Sequence, residues 1–293
     1  MANSIATITQ YLATIVEENY RLGSLTNWLD TTGVITEGLA NAKEVKIPKL
    51  TLAGLSDYNK TAGYTAGDAT LEYMTYTLTK DRGKKFTLDA VDNIESAGVA
   101  LAQLAATFLR DYVIPELDAY RFAQYAAGAP TANVVSATLT KATILEAIDT
   151  AGVALSDAEV PVENRILFVS PLVNALIKQA VDSARLHTGT VVNRKVTYLD
   201  DMQIVEVPSS RFKDKITLGT NGYTNPSGAV AMNFIMIDKN APLQIVKHAP
   251  ARLFSPDQNQ SADAWIYAYR CYHDCTIKTS KKNGVYVSKL ATS

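Results

Sequence analysis

Hydrophobic residues recur along the chain in two periods, and the changes between them mark the elements. Ile8, Tyr11, Leu12, Ile15, Val16 and Tyr20 fall near helical spacing until Gly23 and Ser24-Leu25-Thr26-Asn27 interrupt them. Residues 5–29 are therefore either a helix on the core or an arm on a neighbouring chain. Residues 43–52 alternate as a strand, and Pro48, which lacks an N–H, makes it an edge. The pattern then lapses. Residues 53–70 carry Gly54, Gly63 and Gly67 among small and polar residues, a loop with little capacity to form a core. Leu71 to Thr79 is rich in aromatic and β-branched residues and reads as the returning strand. Strand, long polar loop and strand make an extended hairpin. A loop of that length needs a reason to exist, and contact with another chain is one.

Lys80-Asp81-Arg82-Gly83-Lys84-Lys85 reads as a solvated turn, and Phe86-Thr87-Leu88-Asp89 as the lead into a long helix. Asp92 and Glu95 stand in capping-box spacing. Leu101, Leu104, Ala105, Phe108, Tyr112 and Val113 form the apolar stripe. Pro115 should kink or break this helix, because it removes a backbone donor. Leu117, Tyr120 and Phe122 resume the stripe, and Gly128 and Pro130 end it. Next come a helix over 142–155 and a continuous apolar run, Arg165 to Val169, that implies a strand buried on both faces. Ser170 caps a further helix with Pro171 at its first position. After a surface loop at 182–200, strands at 203–207 and 231–237 complete what reads as a self-contained α/β unit. Residues 264–277 are one long strand or two, and 285–287 another.

Composition narrows the function classes. Of 293 residues 47% are hydrophobic, enough for a substantial core. Only 19% are charged and the net charge is -1, without the basic excess of a chain whose main task is gripping nucleic acid. Weak self-repulsion suits a subunit that associates. No stretch is apolar and long enough to span a bilayer, and the N-terminus lacks signal-peptide character, so synthesis in the cytosol is expected. Cys271 and Cys275 lie four strand residues apart, about 13 Å, whereas a disulfide tolerates about 7 Å between Cα atoms. Free thiols are expected.

Chemical motifs are few. Cys271, His273 and Cys275 share a strand face but spread over about 13 Å, too far to converge on one zinc ion. They read as a packed face with Trp265, Tyr267, Tyr269 and Ile277. There is no G-x-S-x-G elbow, and Gly83-Lys84 lacks the rest of a phosphate loop. Gly219-Thr220-Asn221-Gly222 reads as a turn, and Asp200-Asp201 as turn or loop residues. Arg82, Lys84 and Lys85 are candidate phosphate contacts or simply a solvated turn. Tyr58 and Tyr64, in a loop with no core of its own, are candidate interface aromatics or partly exposed loop residues.

The order of elements, the stretch from Tyr76 to Glu95, Asp118-Ala119-Tyr120-Arg121-Phe122, Arg165 to Pro171 and Ile204 to Pro208 carry a resemblance. Together they are similar to the major capsid proteins of tailed bacteriophages. The resemblance implies an α+β chain with the Hong Kong 97-like capsid fold, which encapsulin shells share. It implies an N-terminal arm at 1–43, an extended hairpin at 44–82 and a spine helix with peripheral domain at 83–130. An axial α/β domain at 131–240 and peripheral-domain strands at 241–293 follow. It further implies a shell subunit, not an enzyme, needing no cofactor or metal and forming pentamers and hexamers around phage DNA. A portal and a separate scaffolding protein, or no scaffold, are the implied partners, with assembly in the host cytoplasm and residence in the virion. Tyr58, Lys60, Tyr64, Arg82, Lys84 and Lys85 become the expected interface residues. Lys60 lies in the loop where some members form an isopeptide cross-link, but no acceptor Asn or catalytic Glu is identifiable, so no cross-link is expected. An encapsulin-type compartment and a soluble α+β enzyme are the alternatives.

Overall fold

A computed structural model of the chain describes residues 23–31, 44–61, 63–90, 99–185, 196–248 and 251–291. The N-terminal stripe before Gly23 and the Asp92/Glu95 capping box lie outside the described residues. The strands, in chain order, are β1 Glu44–Leu52, β2 Ala69–Thr77, β3 Lys80–Asp89, β4 Val134–Ser136, β5 Arg165–Val169, β6 Tyr198–Leu199 and β7 Met202–Glu206. They continue as β8 Thr217–Gly219, β9 Gly222–Thr224, β10 Met232–Asp238, β11 Pro242–His248, β12 Ala251–Phe254, β13 Ala264–Ile277 and β14 Val285–Lys289. The helices are α1 Val99–Phe108, α2 Ile114–Gly128, α3 Ile144–Asp157 and α4 Pro171–Arg185.

Two sheets and one long helix organise the chain. The six-stranded sheet runs β4-β14-β10-β5-β7-β6. Its central strands are apolar at successive positions because both faces are covered. Phe168, Ile235 and Val287 pack on one side with Tyr120, Phe122 and Tyr125 of α2. Leu167, Phe234 and Met236 pack on the other with Ile148 of α3 and Ile177 of α4. The middle region is not self-contained: β14, close to the C-terminus, is inserted between β4 and β10. At the β6–β7 hairpin, Asp200 and Asp201 form the turn with φ of 47° and 62°, the left-handed pair that two-residue hairpins require. Ser170 precedes α4, its Oγ accepting from Val173 N–H at 3.4 Å.

The second sheet is built around β13, a single strand of 14 residues flanked by β3 on one side and by β11 and β12 on the other. The charged segment 80–85 is part of β3 and not a turn, and Phe86–Asp89 continues that strand instead of entering a helix. Lysine, aspartate and glycine are poor strand formers, yet pairing with β13 overrides them. Gly83 is required there: a Cβ would lie 2.9 Å from the carbonyl oxygen of Tyr269. The ionic side chains are matched across the sheet, Arg270 Nη2 donating to Asp81 Oδ2 at 2.5 Å.

The helix spans both sheets. α1 and α2 join through a π turn at Leu109–Val113, and Pro115 sits in the first turn of α2. The wider turn is where the i→i−4 ladder yields to the proline ring, so the helix continues past a residue that would otherwise break it. Leu109, Val113 and Leu117 pack on Tyr267, Tyr269 and Cys271 of the second sheet. Ten of the fifteen α2 residues are buried, Asp118 and Arg121 among them. At its end Gly128 meets Ile277, where a Cβ would lie 2.4 Å from Ile277 Cγ1. Gly128→Ala is therefore expected to destabilise by about 1–3 kcal/mol, outweighing the helix propensity it gains. Thermal unfolding checks this, and an unchanged midpoint would mean that helix and strand separate freely.

Candidate assembly surface

β1 and β2 form a two-stranded sheet of their own, in register from Glu44↔Thr77 to Leu52↔Ala69. Residues directly opposite share a face. On one face the first half of the hairpin presents Val45, Ile47, Met74 and Tyr76. Val45 is 1% exposed, in a cluster with Leu78, Leu243 and Ile245 of the body. Beyond Pro48↔Tyr73 the apolar residues change face. Leu50 and Leu52 now stand with Leu71 and Tyr73 on the opposite side, 50–65% exposed. The face that continues outward from Val45 carries Lys49, Thr51, Thr70 and Glu72 instead, with Lys49 opposite Glu72. Both strands change phase at matched positions and the register does not slip, so the hairpin has one apolar face for its own body and another turned away from it.

The loop at the tip keeps its expected exposure. Leu55 is fully exposed, Tyr58 60% and Tyr64 92%. Asn59 and Gly63 bridge, which brings the Tyr58 and Tyr64 rings to 5.0 Å, edge to face. Lys60 is exposed beside them. None of these side chains belongs to a core cluster among the described residues.

The base of the hairpin is clamped. Asp274 Oδ2 accepts from Thr79 N–H at 2.7 Å and from Thr79 Oγ1 at 2.8 Å. Its Oδ1 accepts from the Tyr120 hydroxyl at 2.6 Å and from Cys275 N–H at 2.8 Å. Tyr272 donates to Leu78 O at 3.0 Å. Burial, and after it the bond to Asp274, raises the Tyr120 hydroxyl well above its ordinary pKa.

The basic residues of β3 divide. Arg82 is engaged inside the chain, its Nε and Nη2 donating to the Glu116 carboxylate at 2.6 and 2.9 Å and Nη2 also to Gly219 O at 2.7 Å. Lys84 reaches the same β8–β9 turn, donating to Asn221 Oδ1 at 3.2 Å and Thr220 O at 3.4 Å. Lys85 points away and is exposed. Arg82, Lys84, Phe86, Phe108, Tyr112 and the turn line a cleft of about 520 Å³.

Two buried groups were not legible as partners. Asp118, fully buried, accepts at 2.7 Å from both Ser24 Oγ and Thr26 Oγ1, at 3.1 Å from Leu25 N–H and at 3.4 Å from Arg211. Arg121 donates to Thr26 Oγ1 at 3.0 Å and Asp30 Oδ1 at 2.7 Å. Segment 23–31 is thereby tied to the helix. Ionic residues at inward positions of an apolar helix were the available signal.

Cys271, His273 and Cys275 do share the buried face of β13. Both cysteines are free thiols, and burial pushes them up to about 11 and about 12. Among the described residues no group of His, Cys, Asp or Glu converges as a metal site. His273 lies edge to face on Tyr120 at 5.5 Å, and burial, then Arg121, holds it down to about 4 against 6.5 for a free side chain. Between those values the unfolded chain binds the proton and the folded chain does not, so stability falls as pH drops from 6.5 to 4. The loss attributable to this residue approaches about 3 kcal/mol. Denaturant melts across that window check it: His273→Phe should flatten the profile, and an unaltered slope would refute the assignment.

No protein-family model matches the chain, and no curated protein does. Solved structures do. The capsid of the cyanophage P-SCSP1u aligns with TM-score 0.61 and 13% identity, covering 87% of this chain and 85% of that one. The mature capsid of bacteriophage PhiM1 aligns with TM-score 0.56 and 12% identity over 92% and 88%. A virus-like particle from Pyrococcus furiosus aligns with TM-score 0.53 and 11% identity over 97% and 99%. The chain has the α+β Hong Kong 97-like fold of phage capsid structures.

Proposed function

We propose that this chain is the major capsid protein of a tailed phage, a non-enzymatic subunit that assembles into pentamers and hexamers of an icosahedral shell around phage DNA. The observation that carries the reading is the outer apolar face of the hairpin. Leu50, Leu52, Leu71 and Tyr73 are contiguous, exposed and on the side that the chain's own body does not cover. At roughly 100 Å² for each large side chain they expose on the order of 400 Å², about the largest patch an ordinary monomer carries. A second copy is the natural cover for it, with Tyr58, Lys60, Tyr64 and Lys85 extending the contact. The fold shared with capsid structures supports the same occupant. Segments 44–77 then act as the extended hairpin over a neighbour, the six-stranded sheet as the axial unit and the β13 sheet with the helix as the peripheral unit. The subunit resides in the virion after assembly in the host cytoplasm.

Light scattering and electron microscopy of the purified chain test this. Rings or closed shells, formed without a covalent step, are the expected result. A strictly monomeric species across salt and pH would overturn it. The alignment with the Pyrococcus furiosus virus-like particle favours one second reading, an encapsulin-type compartment shell. Particles that carry a cargo enzyme and no nucleic acid would establish that reading in place of the first.

A further inference from the structure

Two connections cross between the sheets side by side: Lys239–Ala241 joins β10 to β11, and Lys278–Gly284 joins β13 to β14. Lys278 N–H donates to Ala241 O at 3.0 Å and holds them together. Each carries lysine. Lys239, Lys278, Lys281 and Lys282 therefore gather on one surface, although the chain as a whole has a net charge of -1. Lys239, Lys281 and Lys282 are exposed. Their partners inside the chain are poor for ammonium groups. Lys239 donates to Glu163 O at 3.4 Å and Lys278 to Asn240 O at 3.0 Å, both neutral carbonyls. Lys281 lies 3.8 Å from the Asp238 carboxylate. Asp30, which lines the same depression, is bonded to Arg121 at 2.7 Å. Burial, then repulsion from Lys281, lowers the Lys278 ammonium below the usual lysine pKa.

An aromatic side chain stands in the same place. Trp28 is 46% exposed, held by its indole N–H donating to Leu25 O at 2.8 Å. With Lys239, Asn240 and Lys278 it lines a depression of about 290 Å³. Lysines bonded to neutral carbonyls, with one of the four paired to Asp238, around a half-exposed indole suit a polyanion with flat groups between its charges.

We propose that this surface, formed by Trp28 and the lysines of the two sheet connections, binds the phosphate backbone of nucleic acid without reading sequence. The proposal rests on the shell reading in one respect, that the nucleic acid met in the virion is packaged DNA. Without these four lysines the chain's net charge goes from -1 to -5, so the remainder supplies no long-range attraction and the contact is local and salt-sensitive.

The test is a salt titration of binding to a short DNA duplex and to the matching single strand, followed by tryptophan fluorescence. Protein is kept below the concentration at which scattering detects assembly. Four lysines on phosphates predict a log–log salt slope of roughly −3 to −4, falling by about 0.9 for each lysine removed. Lys239→Gln/Lys278→Gln/Lys281→Gln/Lys282→Gln should flatten the slope to below about 1 and weaken low-salt binding more than tenfold. Lys239→Gln/Lys281→Gln/Lys282→Gln, which spares the partly buried Lys278, should keep only about a quarter of the slope. The exposed control pair Lys141→Gln/Lys215→Gln should leave it intact. An unchanged slope in the patch variants would overturn the proposal, and so would equally tight binding of polyglutamate of the same charge. Binding with the expected slope in a chain that never assembles would uphold the patch and overturn the shell reading alone.

Discussion

Asp118→Ala is expected to lower the free energy of unfolding by about 3–5 kcal/mol, the range for breaking a buried ionic group away from its partners. The carboxylate is fully buried and accepts four hydrogen bonds, three from Ser24–Thr26 and one from Arg211. Its removal strands the buried Thr26 hydroxyl, takes an acceptor from the half-buried Ser24, Leu25 and Arg211 donors, and leaves Arg121, 1% exposed, bonded to Asp30. A stranded buried donor alone costs about 1–3 kcal/mol. Asp118→Asn keeps the shape and loses the charge, so it should fall between. Ser24→Ala removes a single hydroxyl and should cost about 1 kcal/mol. Denaturant melts of the dispersed chain measure all three. Equal small losses would mean that segment 23–31 is not tied to the helix through this carboxylate.

The contrast between Asp118 and β3 shows where sequence reading succeeds. Arg165–Val169 was legible as a strand buried on both faces, since nothing polar interrupts it and helices cover each side. The cysteine–histidine face of β13 was legible because strand periodicity alone decides it. Segment 80–85 was not, because its strand state is imposed by pairing with residues 268–273, nearly two hundred positions away. The same non-locality hid β14 in the middle sheet and Lys239 beside Lys278. For Asp118 and Arg121 a signal existed in two ionic residues among the inward positions of an apolar helix. Their partner segment carries only Ser24, Thr26 and Asp30 to announce itself. In the hairpin loop Tyr58, Lys60 and Tyr64 are exposed, while Arg82 and Lys84 of β3 are engaged within the chain. The phase change between Val45/Ile47 and Leu50/Leu52 was present in the sequence. Its meaning required the register, which shows that β2 makes the same change opposite it.

That phase change sets the second large effect. Leu50 and Leu71 face each other on the outer apolar side, 59% and 57% exposed. Leu50→Lys/Leu71→Glu converts them to an opposite-charge pair, which a cross-strand position accommodates. The isolated chain loses almost no buried area at either site, so its stability should change by no more than about 0.5 kcal/mol. Assembly is another matter. Covering two half-exposed leucines contributes roughly 3 kcal/mol to each contact, and the charged pair adds a desolvation cost that the leucines did not have. The concentration needed for assembly should therefore rise at least about a hundredfold. Lys49→Glu/Glu72→Lys reverses the directly opposed pair on the other face and should leave assembly unchanged. Circular dichroism reports the fold of both variants, and light scattering with electron microscopy reports their particles. Normal closed shells from the leucine variant would show that this face stays in solvent. Equal failure of both variants, neither of which changes the hairpin's net charge, would mean that the hairpin acts through the placement of its charges and not through an apolar contact with a second copy.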